Sequence, residues 1–248
     1  MSDIKQKDNL FFSADDFGIS KLANVNILAL LEEGKLDRVS VMISENLSPK
    51  DVQKLKNSGA KLDIHLHLVK QDSDYWRGNR LMREGIVKRL VCFFLNFVSG
   101  KSRPQKVSLR WAVQIEKFRE IFGQSPDGIG SHEYIHCFPP YLKETIHLAQ
   151  KYQIPYLRFG RNDFTCERRP IAQMINWLRK RRKEQVKESG LETTDYMFSF
   201  DWFDNLDFLK DLPTQATSEI VFHPERENEY EFLSKRENNS RLDNTPKM

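Results

Sequence analysis

The chain has 248 residues, 39% hydrophobic and 30% charged, which suits one large domain with a sizeable core. A formal net charge of +4 does not by itself imply nucleic acid, and three cysteines (Cys92, Cys137, Cys166), odd in number and without metal-finger spacing, argue against a disulfide framework. The polar start "MSDIKQKDNL" lacks a signal-peptide core and no apolar run approaches ~20 residues, so a cytoplasmic protein without a spanning helix is expected.

In chain order, "LFFSADD" reads as a short strand emptying into a loop. "SKLANVNILALLEEGK" reads as a helix with Leu22, Val25, Leu28 or Ala29, and Leu31 on its inner stripe, ended by Gly34; Asp16 is a candidate cap. "DRVSVMIS" is the next strand, and "SPKDVQKLKNSG" is a helix capped by Ser48 with Pro49 in its first turn. "KLDIHLHLV" alternates between apolar and polar residues, as a strand does. The resulting βαβαβ rhythm predicts a parallel sheet.

Residues 70–107 break the rhythm and are expected to be a long loop or insertion over a site, with an apolar piece at 90–98. "LRWAVQIEKFREIFG" is a helix with Trp111, Ile115, Phe118 and Phe122 inward, and "DGIGSHEYIHCFPP" is a strand end and loop. "YLKETIHLAQKYQ" is a helix, "IPYLRFG" a strand, and "RPIAQMINWLRKRRKEQVKESG" a basic helix burying Ile171, Met174, Ile175 and Leu178. "DYMFSFDWF" is a strand or turn, and "SEIVFHP" is the last strand.

Polar residues recur at strand ends: Asp15–Asp16, His65–His67, His132–His136 and His223. In parallel α/β folds, active groups gather at the carboxyl ends of strands. Two adjacent carboxylates are costly unless a cation or a proton relieves them; one can bind a metal while the other takes a proton from water. His65 and His67, two apart, share a face of a strand; His132 and His136, four apart, share a face of a helix. Two histidines with an aspartate leave positions open for water and substrate, and His223 is suited to protonating a leaving group. Each feature also has an ordinary reading: a turn or cap for the aspartates, a solvent-facing pair for "HLH". Asp63 and Glu219 are candidates to orient the histidines.

"ADDFGIS" followed by a helix, "DIHLHL", "AVQIEKF", "GSHEYIH" before prolines and "SEIVFHP" together resemble the YdjC-like carbohydrate deacetylases over roughly residues 9–224. The resemblance implies an irregular (β/α) barrel of the polysaccharide-deacetylase kind in a single α/β domain. Outside that stretch the polar composition predicts a flexible 1–8 and a polar, loosely ordered 225–248. The resemblance also implies one divalent metal, with Mg2+ favoured by it and Zn2+ left open by the imidazoles. By the same resemblance Asp16, His65 and His132 are the metal ligands, Asp15 the base, His223 the late histidine and Arg158 a substrate contact. The sequence departs from the pattern at Tyr134, where the family has a histidine, and at Asp63, Gly130 and Glu225.

The activity so implied is removal of an acetyl group from an N-acetylated sugar, whether chitooligosaccharide, another oligosaccharide or a glycolipid. His67, His136, Tyr134 and Trp76 join Arg158 as candidate substrate contacts, with Tyr75 and Trp202 as further stacking candidates. The basic run 158–187, densest at "RKRRK" (179–183), is a solvated helix face or a peripheral contact with an anionic membrane. The alternative function is a non-catalytic basic barrel that binds anionic lipid or nucleic acid, although no nucleic-acid module is visible. The sequence leaves a homo-oligomer open.

Overall fold

The computed structural model describes residues 9–68, 100, 102–162, 170–203 and 212–236. Seven strands form one parallel sheet: β1 (Leu10–Phe17), β2 (Arg38–Val41), β3 (Lys61–Leu66), β4 (Gly128–Ser131), β5 (Tyr156–Leu157), β6 (Tyr196–Ser199) and β7 (Ser218–Phe222). Their order is β5-β4-β3-β2-β1-β7-β6. The outer strands then meet through irregular backbone. Leu157 N–H donates to the Glu192 carbonyl (2.8 Å), Arg161 N–H to Thr194 (3.0 Å) and Asn162 N–H to Asp195 (2.7 Å), just before β6 begins. The sheet thus curls into the irregular (β/α) barrel expected.

Helices α1 (Lys21–Glu32), α2 (Pro49–Asn57), α3 (Pro104–Phe122), α4 (Pro139–Lys151) and α5 (Pro170–Glu188) follow β1 to β5 in turn, as parallel crossovers require. Ser48 caps α2 as expected, its Oγ accepting from Asp51 N at 3.1 Å. Ser20, not Asp16, caps α1, with its Oγ accepting from Ala23 N at 3.1 Å. On α3, Trp111, Ile115, Phe118 and Phe122 are buried as their spacing predicts. On α1 the inner stripe is rotated. Leu22 and Val25 are exposed, and the buried face carries Ala23, Asn24, Ile27, Leu28, Leu30 and Leu31. Asn24 explains the rotation: it turns inward to accept from Gly18 N at 2.6 Å and donate to the Asn46 carbonyl at 3.0 Å.

Residues 225–236 are more ordered than expected. They carry helix α6 (Glu227–Ser234), whose Glu229 and Leu233 are fully buried.

The alternation in "KLDIHL" separates two buried environments rather than core from solvent: every residue of β3 after Lys61 is buried. Apolar Leu62, Ile64 and Leu66 join the hydrophobic core. Asp63 and His65 lie among polar residues of neighbouring strands. Arg38 of β2 holds Asp63 through Nε (2.9 Å) and Nη2 (2.5 Å). Arg158, just after β5, reaches Glu219 of β7, whose other partners are Ser13 of β1 and Tyr156 of β5.

Two glycines of β4 make room for these ion pairs. A Cβ at Gly128 would stand 2.4 Å from Asp63 Oδ1 and 2.9 Å from Arg38 Nη2; one at Gly130 would crowd the Arg158 side chain at 3.2 Å. Gly128→Ala is therefore expected to cost about 1–3 kcal/mol, the usual penalty of overpacking. Urea unfolding of the purified variant measures it, and an unchanged midpoint would contradict this packing.

Candidate metal centre

In a regular strand adjacent side chains point to opposite faces, so Asp15 and Asp16 could not serve one site. A bulge solves this. Against β2, Ala14 pairs with Val39 and Phe17 with Val41, so three steps on β1 match two on β2. Asp16 takes up the slack in the left-handed region (φ 69°), a conformation that costs a typical residue about 1–2 kcal/mol but that aspartate tolerates better than most. Gly18 (φ 101°) completes the turn; a Cβ there would stand 2.3 Å from the Met42 carbonyl oxygen.

The bulge brings Asp16 to His65 of β3 and to His132, the first residue after β4. Asp16 Oδ1 lies 3.1 Å from His132 Nδ1 and 3.5 Å from His65 Nε2. One ligand atom from each of Asp16, His65 and His132 falls within 4.8 Å of the other two. Among the described residues this is the cluster that fits a metal ion. Carboxylate and imidazole are donors for a divalent cation, and three protein ligands leave coordination open for water and substrate. His65 is buried, and its Nδ1 meets no hydrogen-bond partner. Burial pushes its pKa down to about 4, so the imidazole is neutral and ready to ligate at neutral pH. Burial alone would raise the Asp16 pKa, but the His132 contact holds it well below the usual carboxylate value.

His132 is delivered by a distorted 3-10 segment, His132–Cys137, in which Glu133 and Tyr134 are both left-handed at φ 55°. That break cancels the expected one-face pairing of His132 with His136. His136 instead turns into the protein: its Nδ1 accepts from Ser131 N at 3.1 Å and its Nε2 lies 2.6 Å from the Arg158 carbonyl oxygen. It is buried with both ring nitrogens engaged, which corrects its expected role as a substrate contact. His67 is also corrected. It is buried, its Nε2 lies 3.3 Å from the Ile43 carbonyl oxygen, and Gln114 and Trp111 clamp its backbone.

Asp15 stands beside the triad, its Oδ2 3.7 Å from His65 Nδ1. Arg158 Nη1 donates to Asp15 Oδ1 at 2.5 Å and also to Ser40 Oγ, while its Nε donates to Glu219 Oε1 at 3.0 Å. Burial would raise the Asp15 pKa; the Arg158 guanidinium outweighs it, and the carboxyl stays ionised. Arg158 was expected to touch substrate. It is buried, with Nη1 on Asp15 and Ser40, Nε on Glu219 and Nη2 2.9 Å from the same Glu219 oxygen, so it sits among carboxylates of the barrel interior. Asp63 and Glu219 likewise hold arginines rather than histidines.

His223 follows β7. Its backbone N–H donates to Glu229 Oε2 at 2.6 Å, and its ring Nδ1 lies 3.5 Å from the same oxygen. Burial opposes its protonation, but Glu229 with Asp16 and Asp15 raises its pKa to about 9, so the ring carries a proton at neutral pH. Sequence reasoning missed Glu229 because its surroundings read as a polar tail; a period of buried positions at Glu229 and Leu233 is the signal that was there. Glu225, where the family pattern has glycine, accepts from Ser20 Oγ at 2.7 Å and so ties the segment to the start of α1.

Tyr134 packs against Trp202, with ring centroids 5.4 Å apart, and Trp202 is itself largely buried. Trp76, Tyr75 and, of the 70–107 segment, residues 70–99 and 101 lie outside the described residues, while 104–107 belong to α3 rather than to a loop. On the basic helix α5, exposed Trp177 stacks with Arg181 (4.2 Å), and Lys180, Lys183 and Lys187 are exposed beside it. No helix among the described residues is long and apolar enough to cross a membrane.

Comparison with known proteins agrees with this geometry. The family model described as YdjC-like protein matches residues 9–245. A chitooligosaccharide deacetylase of Escherichia fergusonii is 28% identical over 131 residues, 52% of this chain and 51% of its own length. A carbohydrate deacetylase of Clostridium beijerinckii is 28% identical over 151 residues, 59% of this chain and 58% of its own. The chain thus spans between half and three fifths of the length of these two relatives. Among solved structures, an Enterococcus faecalis V583 protein described as a candidate cellobiose-phosphate cleavage protein superposes with a TM-score of 0.56 at 19% identity. That match covers 86% of this chain and 80% of the other, and it is a likeness of fold.

Proposed function

The chain belongs to the YdjC-like protein family, and from that premise we propose that it is a metal-dependent hydrolase that removes the acetyl group from an N-acetylated sugar. The observation that carries the reading is the convergence of Asp16, His65 and His132 within 4.8 Å, with an ionised Asp15 beside them. A divalent cation held by that triad supplies Lewis-acid polarisation of the acyl carbonyl and a lowered pKa for water. Either Mg2+ or Zn2+ suits the donor set, with Mg2+ the choice by resemblance.

The protein's own groups divide the proton work. Asp15, ionised and aimed by Arg158, takes the proton from the attacking water. His223, protonated at neutral pH, gives a proton to the departing amine as the C–N bond breaks. Water and amide become acetate and amine with no other reactant. Adjacent carboxylates with different partners can thus hold different roles, one as ligand and one as base.

Metal analysis of the purified protein with acetate release from short N-acetylglucosamine oligomers tests the reading. One equivalent of divalent metal and steady acetate release are expected. Asp15→Asn should keep the metal and lose about 10²–10⁴-fold in kcat, the range of general-base catalysis. Full activity in that variant would remove Asp15 from the mechanism. Metal without acetate from these oligomers would point to another acylated sugar.

A further inference from the structure

Several buried polar atoms around the triad have no hydrogen-bond partner, and three of them, His65 Nδ1 (3.7 Å), Arg158 Nη2 (2.9 Å) and His223 Nδ1 (3.5 Å), each stand close to a carboxylate oxygen. Arg158 is committed to Asp15, Ser40 and Glu219, and the Nε2 atoms of His136 and His67 face backbone carbonyls. The Tyr134 hydroxyl is buried and has no hydrogen-bond partner. It is not a loosely placed group. Its ring lies between Trp202, at 5.4 Å, and His136, at 6.3 Å. Its backbone sits in the left-handed region next to a second left-handed residue, Glu133, two positions after the ligand His132. Asp15, Arg158, Asp201 and Arg179 are close enough to act on it electrostatically.

Strained backbone and an unpaired buried hydroxyl both work against folding, and such features persist where function requires them. A protein that needed only a packed ring here would be served by phenylalanine. We infer that the Tyr134 phenol is a catalytic hydrogen-bond donor to the substrate's acyl oxygen, an inference that rests on the deacetylase reading above. As water attacks the carbonyl carbon, the C=O electron pair moves onto that oxygen, and the phenol O–H bonds to it more strongly than in the ground state. The phenol keeps its proton throughout. When the C–N bond breaks the pair returns, and the hydrogen bond weakens again. A donor that gains strength only in the transition state acts on kcat rather than on binding.

Tyr134→Phe tests this, with acetate release from short N-acetylglucosamine oligomers, metal content and thermal unfolding measured on the same preparation. The expected result is a kcat lower by about 10²–10³-fold, as for loss of one oxyanion donor. KM should stay within about threefold of wild type, since ground-state binding is not what the phenol supplies. Metal content should be unchanged and the melting temperature equal or higher, because the hydroxyl removed satisfied nothing in the folded protein. A wild-type kcat in the variant overturns the inference. So does a raised KM at unchanged kcat, which would make the phenol a ground-state contact to a sugar hydroxyl. A lowered melting temperature with lost metal also overturns it, leaving a structural tyrosine. Absence of acetate release by the wild-type protein from these oligomers and from every other N-acetylated sugar tried brings down the deacetylase reading and this inference with it; an active wild type with an equally active Tyr134→Phe brings down this inference alone.

Discussion

Asp16→Ala is expected to lose its bound divalent metal and all measurable acetate release, while the barrel remains folded. The carboxylate is the one anionic donor of a triad whose other two side chains are imidazoles, which bind a metal only as neutral ligands, so its removal takes away the charge that holds a dication against its hydration. Removing metal from the wild type should have the same chemical effect and an added thermodynamic one. A ligand present at 100–1,000 times its dissociation constant stabilises the native state by about 3–4 kcal/mol. Chelation should lower the melting temperature of the wild type and leave that of Asp16→Ala almost unmoved. Metal analysis after gel filtration, with melting curves with and without chelator, checks both. Full metal occupancy in Asp16→Ala would mean that the ion sits elsewhere.

The second large effect falls on Arg158. Arg158→Met should destabilise the protein by about 3–5 kcal/mol, because it strands Asp15 and Glu219 as buried carboxylates without their cation. It should also depress activity, since Asp15 loses the donor that aims it. Arg158→Lys is expected to recover little, as one ammonium cannot reach Asp15, Ser40 and Glu219 together.

The pH dependence has a definite sign. Burial pushes the Glu219 pKa up, and Arg158, Arg38, Ser13 and Tyr156 more than offset it, leaving it below the usual 4.5. Its stabilising contribution is therefore present above that usual value and is lost as the pH falls through the lowered folded value. In Arg158→Met the stranded Glu219 takes up a proton at higher pH and is relieved. The stability gap between wild type and variant should narrow as pH drops from about 6 to about 4, measured by denaturant unfolding across that range. A gap independent of pH would mean that the loss is one of packing alone.

Much of the barrel was legible because its signals are local. Ser48 and Pro49 start α2, the Trp111–Phe122 stripe faces the core, and strands ending in Asp, His and Arg alternate with helices, as the sequence suggests. Where local signals competed, tertiary contacts chose. A helical stripe through Leu22 and Val25 is as regular as the one actually buried, and the inward hydrogen bonds of Asn24 decided the rotation of α1. The HxxxH spacing implies a shared helix face only if the backbone between is helical, and Glu133 and Tyr134 are not. Glu229 looked like tail because its burial depends on α6 folding back over the end of β7.

The sequence by itself determined the residue types, the parallel α/β rhythm and the resemblance that singled out Asp16, His65 and His132. These rest on composition, on period and on motifs read along the chain. Only the tertiary structure decided that Asp15 and Asp16 face one site, since that needs an extra residue in β1 against β2. It also decided that Arg158 is buried against Asp15 and Glu219. A guanidinium takes its role from the carboxylates that surround it, and here those come from strands more than 60 residues away in the chain.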